Sequence, residues 1–206
     1  LPIYQSNYTV TNTLKTNINL TITKNWIDDN NSNNTRPNEL KITLLQNNNE
    51  YRELTLSGDT NTWTTTIEVP KYDNNQKEYK YSIREITDNL NSDYSDITYS
   101  EEELSVTNKL NKKQDLLIKK KWMDDDNKYL TRPSSVKVNL LRDNELFKTI
   151  ELKGDSNIWP TTINDIDIYD SNGRKYNYTL EEETLEKYGK VTYNNADLEI
   201  TNELTE

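Results

Sequence analysis

The chain has 206 residues, of which 29% are charged and 32% hydrophobic, with a net charge of −10 at neutral pH. It contains no Cys and no His, which excludes disulfides, zinc sites built on those ligands, Cys nucleophiles and Ser–His pairs. The acidic balance without a basic cluster argues against nucleic acid, and no stretch approaches the roughly 20 apolar residues of a membrane-spanning helix.

The polarity does not imply disorder, because 4 Trp and 14 Tyr point to packed cores. Asn-rich runs such as "QNNNE" and "DDNNSNNT" read as loops. No signal-peptide pattern opens the chain, which therefore reads as a mature or excised piece.

Taken in chain order, the first segment is "YTVTNTLK", whose Tyr8, Val10 and Asn12 alternate like the end of a strand. Seven short alternating runs follow: "INLTITKNW", "ELKITLLQ", "YRELTLS", "TWTTTIEV", "EYKYSIRE", "SDITYS" and "ELSVTNKL". The pattern then starts again. "KNWIDDNNSNNTRPNELKITLL" matches "KKWMDDDNKYLTRPSSVKVNLL", "LSGDTNTW" matches "LKGDSNIW", and "YKYSIRE" matches "YNYTLEE". Trp26 and Trp122 stand at an offset of 96, as do Trp63 and Trp159, which marks all four Trp as core residues of a common unit. The offset becomes 97 at Glu85 and Glu182 and 94 at Asn108 and Asn202, a drift expected from length changes in loops.

Seven strands in about 95 residues fit an immunoglobulin-like sandwich. The expected organisation is thus two tandem all-β domains, at 16–111 and 112–206. Residues 1–15 read as the last strand of a preceding repeat plus a linker.

Side-chain parity exposes an anomaly. Leu104, Val106 and Leu110 share one face of their strand, with Ser105, Thr107 and Lys109 on the other, yet Asn108 falls on the apolar side. Asn202 does the same among Leu198, Ile200 and Leu204. Lys24 lies in line with Ile18, Leu20, Ile22 and Trp26, and Lys120 with Leu116, Ile118 and Trp122. Glu85 aligns with Tyr79, Tyr81 and Ile83, and Glu182 with Tyr176, Tyr178 and Leu180. Parity selects Lys120 over Lys119 and Lys121, and Glu182 over Glu181 and Glu183.

Each unit therefore points one Lys, one Glu and one Asn inward from three strands. Burying either charge alone is costly, but together the two can become neutral by proton transfer. An uncharged amine beside a carboxamide polarised by a protonated acid can form a Lys–Asn isopeptide bond with loss of ammonia, using only proximity and a dry pocket. A buried Lys–Glu ion pair completed by an Asn hydrogen bond accounts for the same pattern without a bond.

The "KNWIDD" and "KKWMDD" starts, the Thr-Arg-Pro turn, the Asn-x-Trp strand, "PKYD", the Tyr-x-x-x-Glu strand and the terminal Thr-Asn together resemble the B-type repeats of Gram-positive collagen adhesins, the Cna B-type domains. The resemblance covers nearly all of both units; the second departs from it with "DIYD" in place of "PKYD". It implies an inverse immunoglobulin-like fold and, in each domain, a Lys–Asn isopeptide bond assisted by an acidic residue. Carried over, the cross-links join Lys24 to Asn108 and Lys120 to Asn202, with Glu85 and Glu182 assisting.

The expected role is a stalk of a cell-wall-anchored adhesin at a bacterial surface: monomeric, needing no cofactor or metal, and catalysing nothing beyond its own single-turnover cross-linking. Its immediate partners are neighbouring repeats, and host extracellular matrix is a candidate for the distal ligand. The alternatives are repeats that themselves bind a matrix protein or glycan, and a pilus subunit, for which Lys71 in "VPKYD" is the candidate linkage residue. "DDNNSNN" and "DDDNKY" lack the spacing, glycine and closing Glu of an EF-hand loop and read as solvated turns.

Overall fold

The structure, a computed structural model, describes residues 8–205. The chain divides into two compact units, Leu1–Lys109 and Leu110–Glu206. Among the described residues there is no α-helix, and the one helical element is a 3₁₀ turn at Asp29–Asn31. Residues 8–16 form no strand, with Tyr8 89% and Val10 86% exposed, and Asn12 is exposed as well. The earlier part of the expected preceding-repeat strand, residues 1–7, lies outside the described residues.

The first unit has seven strands: β1 (Asn17–Ile27), β2 (Leu40–Gln46), β3 (Asn49–Leu56), β4 (Thr62–Pro70), β5 (Tyr81–Ile86), β6 (Asp96–Ser100) and β7 (Ser105–Lys109). They form a four-stranded sheet in the order β4-β1-β7-β6 and a three-stranded sheet in the order β3-β2-β5. The first and last strands are parallel neighbours, whereas the other pairings in this unit are antiparallel. Alternation drives the fold: the inward set Ile22, Trp26, Ile42, Leu44, Trp63, Ile67, Val69, Ile83 and Val106 is buried between the sheets. Asn47 and Asn48, both with positive φ, close the β2–β3 hairpin, a conformation that Asn tolerates better than most residues.

The second unit repeats this plan with β8 (Lys113–Met123), β9 (Val136–Arg142), β10 (Glu145–Leu152), β11 (Ile158–Asp167), β12 (Tyr178–Glu182), β13 (Lys190–Asn194) and β14 (Glu199–Glu203). Its sheets run β11-β8-β14-β13 and β10-β9-β12, again with the first and last strands parallel. Both units are inverse immunoglobulin-like sandwiches, as the sequence predicts.

Three details differ from the expectation. The first extra residue of the second unit lies in a bulge of β11 rather than in a loop, where the pairing to β8 slips between Ile163 and Ile166. Asp165 takes up the residue with φ 59° and donates its N–H to Asp115 Oδ1 at 3.1 Å. The later shortening does fall in a loop, between β12 and β13. Ser105, expected on the outer face, is buried, because it is small and flanked by β1 and β6 on either side of β7. Tyr79 and Tyr176 precede their strands instead of opening them.

All four Trp are buried and pack edge-on in pairs, Trp26 with Trp63 at 5.1 Å and Trp122 with Trp159 at 5.0 Å between ring centroids. Gly58 and Gly154 let the chain pass close against the second Trp of each pair. A Cβ on Gly154 would lie 2.7 Å from Trp159 Cδ1, and one on Gly58 would lie 2.7 Å from Trp63 Cδ1. Gly154→Ala is therefore expected to lower the stability of the second unit by about 1–3 kcal/mol, read as a lower denaturant midpoint. An unchanged midpoint would show that the ring yields freely.

Candidate functional site

The three inward polar residues of the first unit meet at one end of the core. Lys24 comes from β1, Asn108 from the adjacent β7, and Glu85 from β5 in the opposite sheet. In the parallel β1–β7 register Lys24 pairs with Val106 and Trp26 with Asn108, which puts the lysine and the asparagine on the same inward face one pleat apart. Lys24 and Asn108 are 0% exposed and Glu85 is 6% exposed.

Glu85 Oε1 joins the other two. It lies 3.3 Å from Lys24 Nζ and accepts a hydrogen bond from Asn108 Nδ2 at 2.9 Å. Lys24 Nζ also donates to the Asn25 carbonyl at 3.2 Å. Glu85 Oε2 and Asn108 Oδ1 are buried without a hydrogen-bond partner. Leaving such groups unpaired is costly, so this is a cluster with unused acceptor capacity.

The second unit builds the same arrangement from β8, β12 and β14. Lys120 Nζ donates to Glu182 Oε2 at 3.2 Å. Asn202 pairs with Trp122 across the parallel register and is 0% exposed, and both atoms of its amide lack partners, as does Glu182 Oε1. Lys119, Lys121, Glu181 and Glu183, the neighbours in register, lie on the partly or fully exposed face. Lys119 is held there by Glu199 at 3.3 Å.

Burial pushes both lysines down to about 8, against the attraction of Glu85 on Lys24 and of Glu182 on Lys120. Asp28 also raises Lys24, while Arg36 lowers it. A neutral amine is thereby much more accessible than at a surface lysine.

A second buried network, which the sequence reading did not assign, closes the same end of each unit. In the first, Arg36 donates through Nε to Asp28 Oδ2 at 2.5 Å and through an Nη to Asp28 Oδ1, and Tyr94 donates to Asp28 Oδ2 at 2.6 Å. Arg36 also donates to the Thr60 carbonyl at 2.9 Å, which ties the loop after β1 to the β3–β4 turn. Asp124, Arg132 and Tyr188 repeat this, with Tyr188 donating to Asp124 at 2.9 Å. The Asp28 carboxyl is held below its ordinary value, because the Arg36 and Tyr94 hydrogen bonds outweigh its burial. Burial and the bond to Asp28 push Tyr94 well up. The signal that could have revealed the tyrosines is their offset of 94, the same as that of Asn108 and Asn202. Asp28 and Asp124 thus face arginines, and among the described residues no group of three or more acidic side chains could hold a metal ion. Lys71 is partly exposed and lies 3.6 Å from Glu78.

Two sandwiches in series, each with parallel first and last strands and a buried Lys–Glu–Asn cluster between its sheets, define a tandem repeat class of inverse immunoglobulin-like domains. Residues 20–109 and 116–203 each match the family model of the Cna protein B-type domain, and the chain belongs to that family. It is 32% identical over 173 residues to a collagen adhesin of Staphylococcus aureus, covering 82% of this chain but only 14% of the adhesin. A solved structure of two B repeat units of the S. aureus collagen-binding protein superposes with a TM-score of 0.52 at 28% identity, over 91% of this chain and 49% of that one.

The lowered lysines make a sign-defined prediction for the double variant Asn108→Ala/Asn202→Ala. Each lysine titrates near 8 when folded and near its ordinary 10.5 when unfolded, so between these values the unfolded chain binds more protons. Stability should therefore rise as pH climbs from about 8 to about 10.5. The thermal midpoint is to be compared with that of the same variant carrying Lys24→Met and Lys120→Met. Identical pH courses would show that burial does not shift the lysines.

Proposed function

We propose that this chain is a stalk segment of a Gram-positive cell-surface adhesin, toughened by one autocatalytic Lys–Asn isopeptide bond in each unit. The observation that carries the reading is the twofold occurrence of a buried Lys, Glu and Asn, with lysine and asparagine on parallel neighbouring strands that are the first and last of their unit. On this reading the repeats occupy 16–111 and 112–206. The adhesin relative, of which this chain matches 14%, supports a segment within a longer surface protein.

The chemistry needs no outside reagent. Lys24 Nζ passes a proton to Glu85 across their 3.3 Å contact and becomes a nucleophile. A half-turn of the Asn108 amide brings its oxygen to the protonated Glu85, which polarises the carbonyl. Nζ attacks Cγ, the Cγ–Nδ2 bond breaks, and Nδ2 leaves as ammonia after taking up a proton returned by Glu85. As it becomes the amide nitrogen, Nζ gives up a second proton to Glu85, so that the product is one secondary amide and one ammonia per unit. Glu85 returns to a carboxylate when the departing ammonia carries that proton away as ammonium. Lys120, Glu182 and Asn202 take the same parts in the second unit. Because each group acts once on its own chain, this is self-modification without turnover of a substrate.

The bond gives a mechanical function. Force entering through β1 crosses at Lys24 to Asn108 and leaves through the end of β7, so the chain between them carries no load. By the loop-entropy estimate used for disulfides, closing a loop of this size stabilises by about 4–5 kcal/mol. Unlike a disulfide, the amide resists reduction.

Intact mass of the denatured, purified chain tests the reading. The expected result is a deficit of two ammonias, with Lys24→Ala and Lys120→Ala each restoring one. A full theoretical mass would remove the cross-links and leave two sandwiches with buried ion clusters.

A further inference from the structure

We infer that Trp26 and Trp122 are positioning residues for the cross-linking reaction, each holding the lysine Nζ on the face of its indole ring in line with the asparagine. The inference rests on the isopeptide reading above. A lysine stem has four rotatable carbons, and one contact to a carboxylate fixes the distance of Nζ from that carboxylate but not its direction. Lys24 Nζ also donates to the Asn25 carbonyl, and the further contact common to both units is aromatic. Nζ of Lys24 lies 4.2 Å from the Trp26 ring centroid, and Nζ of Lys120 lies 4.4 Å from that of Trp122.

The ring's place in the register suits this task. Trp26 and Trp122 stand two residues after the lysine on the same face, and each is the direct cross-strand partner of the reacting asparagine. The rings are themselves immobilised. Trp26 packs against Trp63 at 5.1 Å and Tyr94 at 5.0 Å, with the Arg36 guanidinium 5.6 Å from its centroid. Trp122 has Trp159 at 5.0 Å, Tyr188 at 4.9 Å and Arg132 at 5.7 Å. The Asp–Arg–Tyr network thus braces the ring, and through it the nucleophile. In both units the indole N–H is buried and has no hydrogen-bond partner, so the ring face, not the polar edge, makes the contact.

A purely space-filling role would be met by any apolar side chain of similar size, and this separates the two. The experiment uses the whole chain carrying Trp122→Met, which fills space without a ring, or Trp122→Phe, which keeps a ring face and loses the N–H. Intact mass is followed over time after refolding from denaturant of chains whose second unit has not yet reacted. The first unit serves as internal control in every sample, and hydrogen exchange at β8 and β14 reports folding of the second. The expected result is normal closure of the first unit throughout, a second closure slowed on the order of ten- to a hundred-fold by Met, and recovery with Phe. Closure of the Met variant at the unsubstituted rate would overturn the inference while leaving the isopeptide reading intact. If the Met variant does not fold, Phe decides alone: a Phe variant that folds yet closes slowly overturns it. An unsubstituted chain that loses no ammonia overturns both.

Discussion

The constraint on which each sandwich depends is the burial of a lysine. An ammonium at 0% exposure must find an anion or lose its proton, and only the opposite sheet can supply a partner without breaking the apolar layer. Glu85 and Glu182 answer this from β5 and β12. Their placement couples the two sheets at one end of the core. The Trp pair, the bracing tyrosine and the arginine all gather around that end.

Comparison of the two units shows what such a core tolerates. The second unit accepts an inserted residue in β11 and a shortened loop after β12, yet the parallel register of first and last strand is the same in both. The bulge sits opposite Gln114 to Leu116, toward the start of β8 and well away from Lys120. The bulge is thus absorbed away from the cluster, whereas the shortened loop begins directly after Glu182 and carries Tyr188. Within the cluster the Lys–Glu contact is nearly unchanged, at 3.3 Å and 3.2 Å, but the Asn108–Glu85 hydrogen bond has no counterpart at Asn202, whose amide lacks partners.

Much of this was legible in the sequence because a strand has a strict period of two. Alternation located the seven strands of each unit, the inward lysines, glutamates and asparagines, and the choice of Lys120 and Glu182 over their neighbours. Internal repetition marked the Trp residues as core. What escaped notice has no period. Tyr94 and Tyr188 lie in loops, where parity carries no information, and their bonds to Asp28 and Asp124 join segments 66 and 64 residues apart. The β11 bulge escaped because a one-residue insertion looks the same whether a strand or a loop absorbs it. Ser105 was misplaced since burial on the outer face depends on flanking strands and not on its own strand's alternation.

The parallel pairing of first and last strands also gives the asparagine a role as a gauge. Slippage of β7 against β1 by one residue would turn Asn108 to the outer face, and slippage by two would carry it a full pleat away from Lys24. Only one alignment brings amine, acid and amide together, and in that alignment the last strand of the unit lies beside the first. A bond formed there would be an irreversible record that the whole intervening unit had been threaded correctly, and any misaligned copy would stay open, distinguishable and free to try again.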